Sequence, residues 1–389
     1  MDSVLMDDKV LNVNKSTWTL TKIGDLAKDI SIRVDNPGLS EYNRFVGLGN
    51  FISGDIKIKT WESTENLASS AKAFQAGDIL FARRNAYLRR ASLVDFDGCC
   101  SGDAFVLREN KEKVIPGFLA FLMNSNALWN FANSNAAGTM SKRVKWRDLA
   151  EYEFLLPPKD QQAKLAKLLW AMDEVIEREN EVLSLNEKLF LSYSKSIFSE
   201  GNGNQKDLMN LGVLTMGQSP AGCTYNKNGL GMPFLQGNAE FGVKNPTHMQ
   251  HTTAPRKIVQ ANTILISVRA PVGDLNIANR EYCIGRGLAG LYIENEYLRD
   301  YVYNFLKYAR YELERNSTGS TFKAINKDTL SSQKCVIPDD AVLKDNSNKL
   351  NSILIATDLL SNKINKSKSL QKSLINQVFS TSSGAPAKI

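Results

Sequence analysis

The chain has 389 residues, 43% of them apolar, and a formal net charge of +7, which is too long for one typical domain and suits two or three. Its apolar runs, such as Thr263 to Val268, fall far short of the roughly 20 residues that span a bilayer. No basic stretch followed by an apolar one opens it, so neither export nor membrane anchoring is expected and a cytoplasmic location is. Five cysteines without C-x-x-C spacing and two histidines, His248 and His251, without companion ligands speak against a disulfide framework and a metal site.

In chain order, "GDILFA" (77–82), "ASLVDFD" (91–97) and "DAFVLRE" (103–109) are short, β-branched or aromatic runs bounded by Gly or Asp, which predicts strands. Asp97-Gly98 predicts a hairpin turn between "SLV" and "AFVL". Residues Pro116 to Ser134 have helical periodicity, with Pro116 near the helix start. Two basic clusters, Arg83, Arg84, Arg89, Arg90 and Lys142, Arg143, Lys145, Arg147, suit a polyanion, although solvated basic faces would look the same. "LPPKDQQ" then opens a helix of about 40 residues, about 60 Å long at 1.5 Å per residue. It carries two adjacent apolar columns: Leu168, Val175, Val182, Leu189 and Leu169, Ile176, Leu183, Phe190, Ile197. Such a helix cannot bury its stripe alone.

"GNGNQKD" (201–207) predicts a hinge. "TILISV" (263–268) and "LAGLYIE" (288–294) predict strands, Asn295 to Arg315 a helix, and the residues after Pro338 a second long helix. The latter carries Ile353, Leu360 and Leu374 on one column and Leu350, Ile364 and Val378 on another, with polar interruptions at Thr357, Ser367 and Gln371. Lys159–Glu200 holds six basic and eight acidic residues, Ala341–Ser380 six and two. Opposite net charges are compatible with the two helices pairing antiparallel.

The chain is an internal repeat. "QAGDILFARR" (75–84) matches "QANTILISVR" (260–269) without a gap; Gly49-Asn50 pairs with Gly237-Asn238; "GTMSKRVKWRDL" (138–149) pairs with "GSTFKAINKDTL" (319–330). Each half continues into a short apolar run, a proline and a long helix ending in "IFS" or "VFS". The fold class is therefore α/β (α+β): two repeated globules of about 140 to 150 residues, each followed by a long helix. The boundaries are residues 1–156 (first globule), 157–200 (first long helix), 201–337 (second globule), 338–380 (second long helix) and 381–389 (tail).

Several chemistries lack their motifs. There is no phosphate loop, so an ATP-driven motor is not expected, and no acidic-Pro-Pro-aromatic tetrapeptide or Gly-rich turn for an adenine methyltransferase. Neither a serine-nucleophile elbow nor H-E-x-x-H is present. A magnesium nuclease using Asp95, Asp97 and Asp103 and a coiled-coil scaffold without a DNA role are the readings from other classes.

Pro157, Pro158, Gln161 or Gln162, Leu165 and Asp173 at the first helix opening, with "QAGDILFARRNAYLRRASLVDFDG" upstream and "QANTILISVRAPVGDLNIANREYCIGRGLAGLYI" in the second half, resemble the specificity (S) subunit of type I restriction-modification systems. The resemblance covers nearly the whole chain. The second helix opening, "DDAVLKDNSNKL", departs from the pattern by lacking the acidic-Gln start, and this end is expected to be less regular.

The resemblance implies two target recognition domains that read the halves of a bipartite double-stranded DNA target, separated and joined by two long antiparallel helices forming a coiled-coil spacer. It implies no catalysis and no cofactor on this chain. S-adenosylmethionine, and ATP and magnesium where restriction exists, would sit on partners: two methyltransferase (M) subunits and possibly restriction (R) subunits. A related system with a fused methylase-nuclease partner is the alternative. Candidate DNA-binding residues are Arg83, Arg84, Tyr87, Arg89, Arg90, Lys142 and Arg143 in the first half and Arg269, Arg286, Lys323 and Lys327 in the second. Leu169, Ile176 and Leu183 are the candidate partner-binding residues.

Overall fold

A computed structural model describes residues 14–139, 141–199, 201–316 and 326–380. The chain divides into two compact units, residues 1–180 with 362–389 and residues 181–361. The first long helix, Lys159–Phe198, and the second, Asp340–Val378, therefore each contribute one half to each unit.

In the first unit, Thr19–Lys22 pairs antiparallel with Glu153–Leu156. A four-stranded sheet runs in the order Ala27–Asp29, Ala104–Glu109, Ile79–Ala82, Ala91–Leu93. A five-stranded sheet runs Ile32–Val34, Ala71–Phe74, Gly98–Cys100, Arg44–Val46, Glu62–Ser63, with Arg44–Val46 parallel to Gly98–Cys100. Ile79–Ala82 is buried on both faces, which is why "ILFA" shows no alternation. Ile79 and Phe81 face a core that includes Phe118, Leu122, Trp129, Leu169 and Phe379, while Leu80 and Ala82 face Val46, Phe74 and Phe96. Phe81 stacks on Trp129 with ring centroids 4.6 Å apart.

The second unit repeats this topology except for one edge strand of its five-stranded sheet: Ile32–Val34 flanks Ala71–Phe74 in the first unit, whereas in the second Tyr225–Asn226 lies at the opposite edge, beside Gln250–Thr252. Asn204–Asp207 pairs with Lys334–Ile337; the four-stranded order is Val213–Met216, Leu288–Tyr292, Ile264–Ser267, Leu275–Ile277. In the five-stranded sheet, Tyr225–Asn226, Gln250–Thr252, Met232–Leu235, Tyr282–Ile284 and Ile258–Val259 follow one another, and Met232–Leu235 is again parallel to Tyr282–Ile284. Ile79 and Ile264, the fifth residues of the two repeated decapeptides, each begin the same central strand.

Within each unit the two helix halves run antiparallel. In the first, Gln371 Nε2 donates to the Leu169 carbonyl at 3.5 Å and to Asp173 Oδ1 at 3.4 Å, and Lys363 lies 3.3 Å from Glu179 Oε1. In the second, Asn186 Nδ2 donates to the Ile353 carbonyl (2.9 Å) and Thr357 Oγ1 (2.8 Å), and Tyr193 donates to Asn346 Oδ1 at 2.7 Å. Thr357 and Gln371, polar interruptions in the sequence, are thus interhelical hydrogen-bonding positions. At the first helix opening, Gln161 accepts from Trp18 Nε1 at 2.8 Å; buried Gln162 accepts from the Ile115 amide at 3.0 Å and donates to the Pro157 carbonyl at 2.8 Å. These bonds tie the helix start to the globule.

Five expectations are corrected. Asp97-Gly98 is no hairpin: Gly98–Cys100 leaves the sheet of Ala91–Leu93 and enters the other one. A Cβ on Gly98 would lie 2.7 Å from the Arg44 carbonyl and 2.8 Å from the Phe74 ring, so the glycine serves close strand approach. The helix expected over Pro116 to Ser134 is two, Phe118–Leu122 and Asn126–Ser134, broken where Ser125 Oγ caps the Leu128 amide at 3.3 Å. Most of the expected hinge is strand Asn204–Asp207, leaving residues 201–203 as irregular chain. The Gly49-Asn50 pairing is out of register by two: Gly47 and Gly237 are the equivalent residues, each preceding a 3-10 turn and donating its amide to a side chain three residues on, Asn50 at 2.7 Å and Glu240 at 3.3 Å. The second long helix is regular from Asp340, because Asp339 Oδ1 caps the Val342 amide at 3.0 Å.

Candidate nucleic-acid interface

The loop leaving the central strand of the first unit carries Arg83, Arg84, Arg89 and Arg90. Backbone hydrogen bonds join it to two distant segments. The Arg83 amide donates to the Asp103 carbonyl (3.0 Å), the Val144 amide to the Arg83 carbonyl (2.9 Å) and the Asn85 amide to the Lys142 carbonyl (2.9 Å). Both predicted basic clusters therefore meet at one edge.

Asp103 is the centre of this edge. Arg143 donates Nε to its Oδ1 at 3.0 Å and an Nη to its Oδ2 at 3.4 Å, while Arg83 and Arg84 lie 3.7 and 3.8 Å away. The Arg143 hydrogen bonds and the arginine charges hold the Asp103 carboxyl below its ordinary range. Arg84 also donates Nε to Ser141 Oγ at 2.7 Å. The half-buried Arg89 and Arg90 bind the protein itself: Arg89 donates to Asn126 Oδ1 at 2.7 Å and Arg90 to the Leu48 carbonyl at 2.9 Å. Exposed for a partner are Arg84, Tyr87, Lys142 and Arg143.

In the second unit the Val268 amide donates to the Gly287 carbonyl at 2.9 Å, the counterpart of the Arg83 to Asp103 bond. Glycine thus stands where the first unit has its carboxylate. Arg269 and Arg286 are exposed beside this bond, and among the described residues neither has an acidic ion-pair partner. Lys327 is exposed at the start of the short helix Lys327–Ser331, capped by Asn326. Lys323 lies outside the described residues.

Residue-level reading missed a second cationic and aromatic feature of the first unit. The Arg44 guanidinium lies 4.6 Å over the exposed Trp61 ring and 4.8 Å over Phe96. Its residues come from three separate segments, so no local pattern announces it.

Two of the candidate partner-binding residues are corrected. Leu169 and Ile176 are buried and Leu183 is half-buried, whereas Leu168, Val175, Val182 and Leu189 are exposed. The neighbouring column is the outward one, because Leu169 packs into the core of the first unit and Phe190 and Ile197 into that of the second, with Ile176 buried between them.

The nuclease carboxylates do not assemble. Asp103 is engaged by arginines, and Asp97 Oδ1 accepts from the Ala76 amide at 2.7 Å. No group of three or more His, Cys, Asp or Glu among the described residues is placed to hold a metal ion. His248 and His251 pack edge to face with centroids 5.0 Å apart. A cleft of about 290 Å³ in the first unit has Asp55 paired with Lys59 (3.1 Å) and Lys368 (3.5 Å). No helix among the described residues is long and apolar enough to cross a membrane. All five cysteines are free thiols, and all but Cys223 are buried.

A globule of three sheets, present twice with an arginine-bearing loop at the same edge and half of an antiparallel helix pair, defines a duplicated-domain protein. The model of the type I restriction modification DNA specificity domain matches residues 10–186 and 225–368. The putative type I restriction enzyme MjaX specificity subunit of Methanocaldococcus jannaschii is 33% identical over 293 residues, which is 67% of this chain and 68% of that protein. A chain solved in work on complex assembly and conformational transition of the type I R-M system aligns with a TM-score of 0.60 and 30% identity, covering 93% of this chain and 97% of that one. The S subunit of the M. genitalium type I system shares the fold at a TM-score of 0.61 and 16% identity over 95% of this chain and 97% of that one. The chain belongs to the family of type I restriction-modification DNA specificity subunits.

Proposed function

We propose that the chain is the non-catalytic reader of a bipartite duplex DNA target. Each unit would read one half-site, and the complex would position methyltransferase subunits, and restriction subunits where they exist. The observation that carries this is the pair of topologically matched loops, Arg83 to Arg90 and Val268 to Asp274, each leaving the end of an otherwise buried central strand with an exposed arginine, Arg84 in the first and Arg269 in the second. Lys142 and Arg84 suit phosphates, and bidentate arginines such as Arg143, Arg269 and Arg286 suit guanine edges.

The two long helices would fix the spacing between half-sites. The outward column Leu168, Val175, Val182 and Leu189 is the docking candidate for a methyltransferase subunit, replacing Leu169 and Ile176 in that role. S-adenosylmethionine would bind the partner, since no site for it is evident in this sequence.

Modification-sensitive sequencing of DNA from cells carrying the cognate methyltransferase gene, with and without this gene, tests the proposal. A split methylated-adenine motif that appears only with this gene is the expected result. Unchanged methylation, with both proteins made and co-purifying, would overturn it.

A further inference from the structure

The DNA-binding reading, on which this inference rests, does not say how the tip of the first unit's central hairpin would meet DNA. Between Ile79–Ala82 and Ala91–Leu93, residues Ala86–Leu88 form a single 3-10 turn, and both flanking residues, Asn85 (φ 56°) and Arg89 (φ 50°), are left-handed. Residues with a Cβ avoid that region, and two of them bracketing one turn persist only where the surroundings hold them. The anchors are visible. Ala86 is buried, the Asn85 amide is bonded to the Lys142 carbonyl at 2.9 Å, and Arg89 is bonded to Asn126 at 2.7 Å.

What this held turn presents is Tyr87, 67% exposed, with Leu88 beside it at 38%. Exposed Arg84 and Lys142 stand on the adjoining segments. The corresponding loop of the second unit repeats the design with different residues. Exposed Pro271 follows Arg269, and its carbonyl accepts from buried Ser267 Oγ at 2.6 Å. Both hairpins thus raise an apolar or aromatic tip, braced from below and with an exposed arginine beside it, Arg84 in the first and Arg269 in the second.

We propose that Tyr87 is a wedge that enters a base step of bound duplex DNA and unstacks it, while Arg84 and Lys142 hold adjacent phosphates. Rigid apolar side chains inserted between base pairs kink DNA in this way, and base stacking on an aromatic ring is tolerant of sequence. The selectivity this adds is for deformability: pyrimidine–purine steps unstack most easily, so such a step is expected at the position Tyr87 meets.

The test uses the full chain with its co-purified methyltransferase and duplexes of the motif found by sequencing, with 2-aminopurine at successive positions. At saturating protein, fluorescence should rise at one step of a half-site. Tyr87→Ala should abolish that rise and Tyr87→Phe keep it, while any signal from an adenine extruded for methylation persists in both. Tyr87→Ala should also weaken binding about 5- to 100-fold without changing its salt dependence. A saturated wild-type complex whose 2-aminopurine signals are all unchanged by Tyr87→Ala would overturn the wedge alone. A wild-type complex with no salt-dependent DNA affinity would overturn the DNA-binding reading, and the wedge with it.

Discussion

Asp103 immediately precedes strand Ala104–Glu109 and Glu109 ends it, and their carboxyl pKa values are shifted in opposite directions. Arg143 and the neighbouring arginines depress Asp103, so its contribution to stability is present above the ordinary carboxylate pKa and is lost as pH falls through the depressed value. Replacing it by Asn leaves three guanidinium groups without their shared counter-charge. Asp103→Asn should tighten non-specific DNA binding several-fold at low salt and steepen its salt dependence, measured by titration across salt concentrations. Glu109 accepts from the Gly117 amide at 2.6 Å and the Leu119 amide at 2.9 Å, yet burial pushes its carboxyl up to about 7. A raised carboxyl contributes stability that is full below the unfolded value, 4.5, and is lost as pH rises through about 7. The effect is on the order of 3 kcal/mol. Denaturation midpoints compared at pH 5 and pH 8 should show that loss in the wild type and not in Glu109→Gln, which starts lower because one amide loses its acceptor. A variant as pH-sensitive as the wild type would contradict this account.

Strand packing makes Gly98, at the start of strand Gly98–Cys100, and Gly102, just beyond its end, unequal. A side chain at Gly98 meets the Arg44 carbonyl and the Phe74 ring, whereas one at Gly102 meets nothing within 4 Å. Gly98→Ala should cost about 1–3 kcal/mol, and Gly102→Ala should stay within about 0.5 kcal/mol, by chemical denaturation. The first long helix gives the same kind of contrast. Leu169→Ala, in the core, should cost about 2–5 kcal/mol. The exposed Val175, changed to Asp, should leave the fold intact and reduce co-purification with the methyltransferase. Retained co-purification would remove the outward column from the docking role. Periodicity shows both columns as apolar, and only the packing of Leu169 into the core of the first unit distinguishes them.

On the scale of the molecule, the helices set the consequence. Each passes from one compact unit into the other, the first between Asn180 and Glu181 and the second between Ser361 and Asn362. Seven residues inserted at both points would lengthen the pair by about 10 Å while keeping the apolar columns in phase. The proposed function then expects a methylated motif with unchanged half-sites and a spacer longer by about three base pairs. Unchanged spacing, or altered half-sites, would count against the helices as the spacer.

The sequence alone determined the duplication, the central strands and the two long helices, because these depend on local periodicity and on order along the chain. "QAGDILFARR" and "QANTILISVR" begin equivalent strands, as their alignment implied. It also marked Arg83, Arg84, Lys142 and Arg143 as basic, but not that they share Asp103, since 40 residues separate Asp103 from Arg143. Contacts of that range, the crossing of Gly98–Cys100 into the second sheet and the Gly47 to Gly237 register are decided by which backbone groups find partners across the fold. The choice of outward column is tertiary for the same kind of reason: two adjacent apolar stripes on one helix have equal claims to the core until a second helix covers one of them.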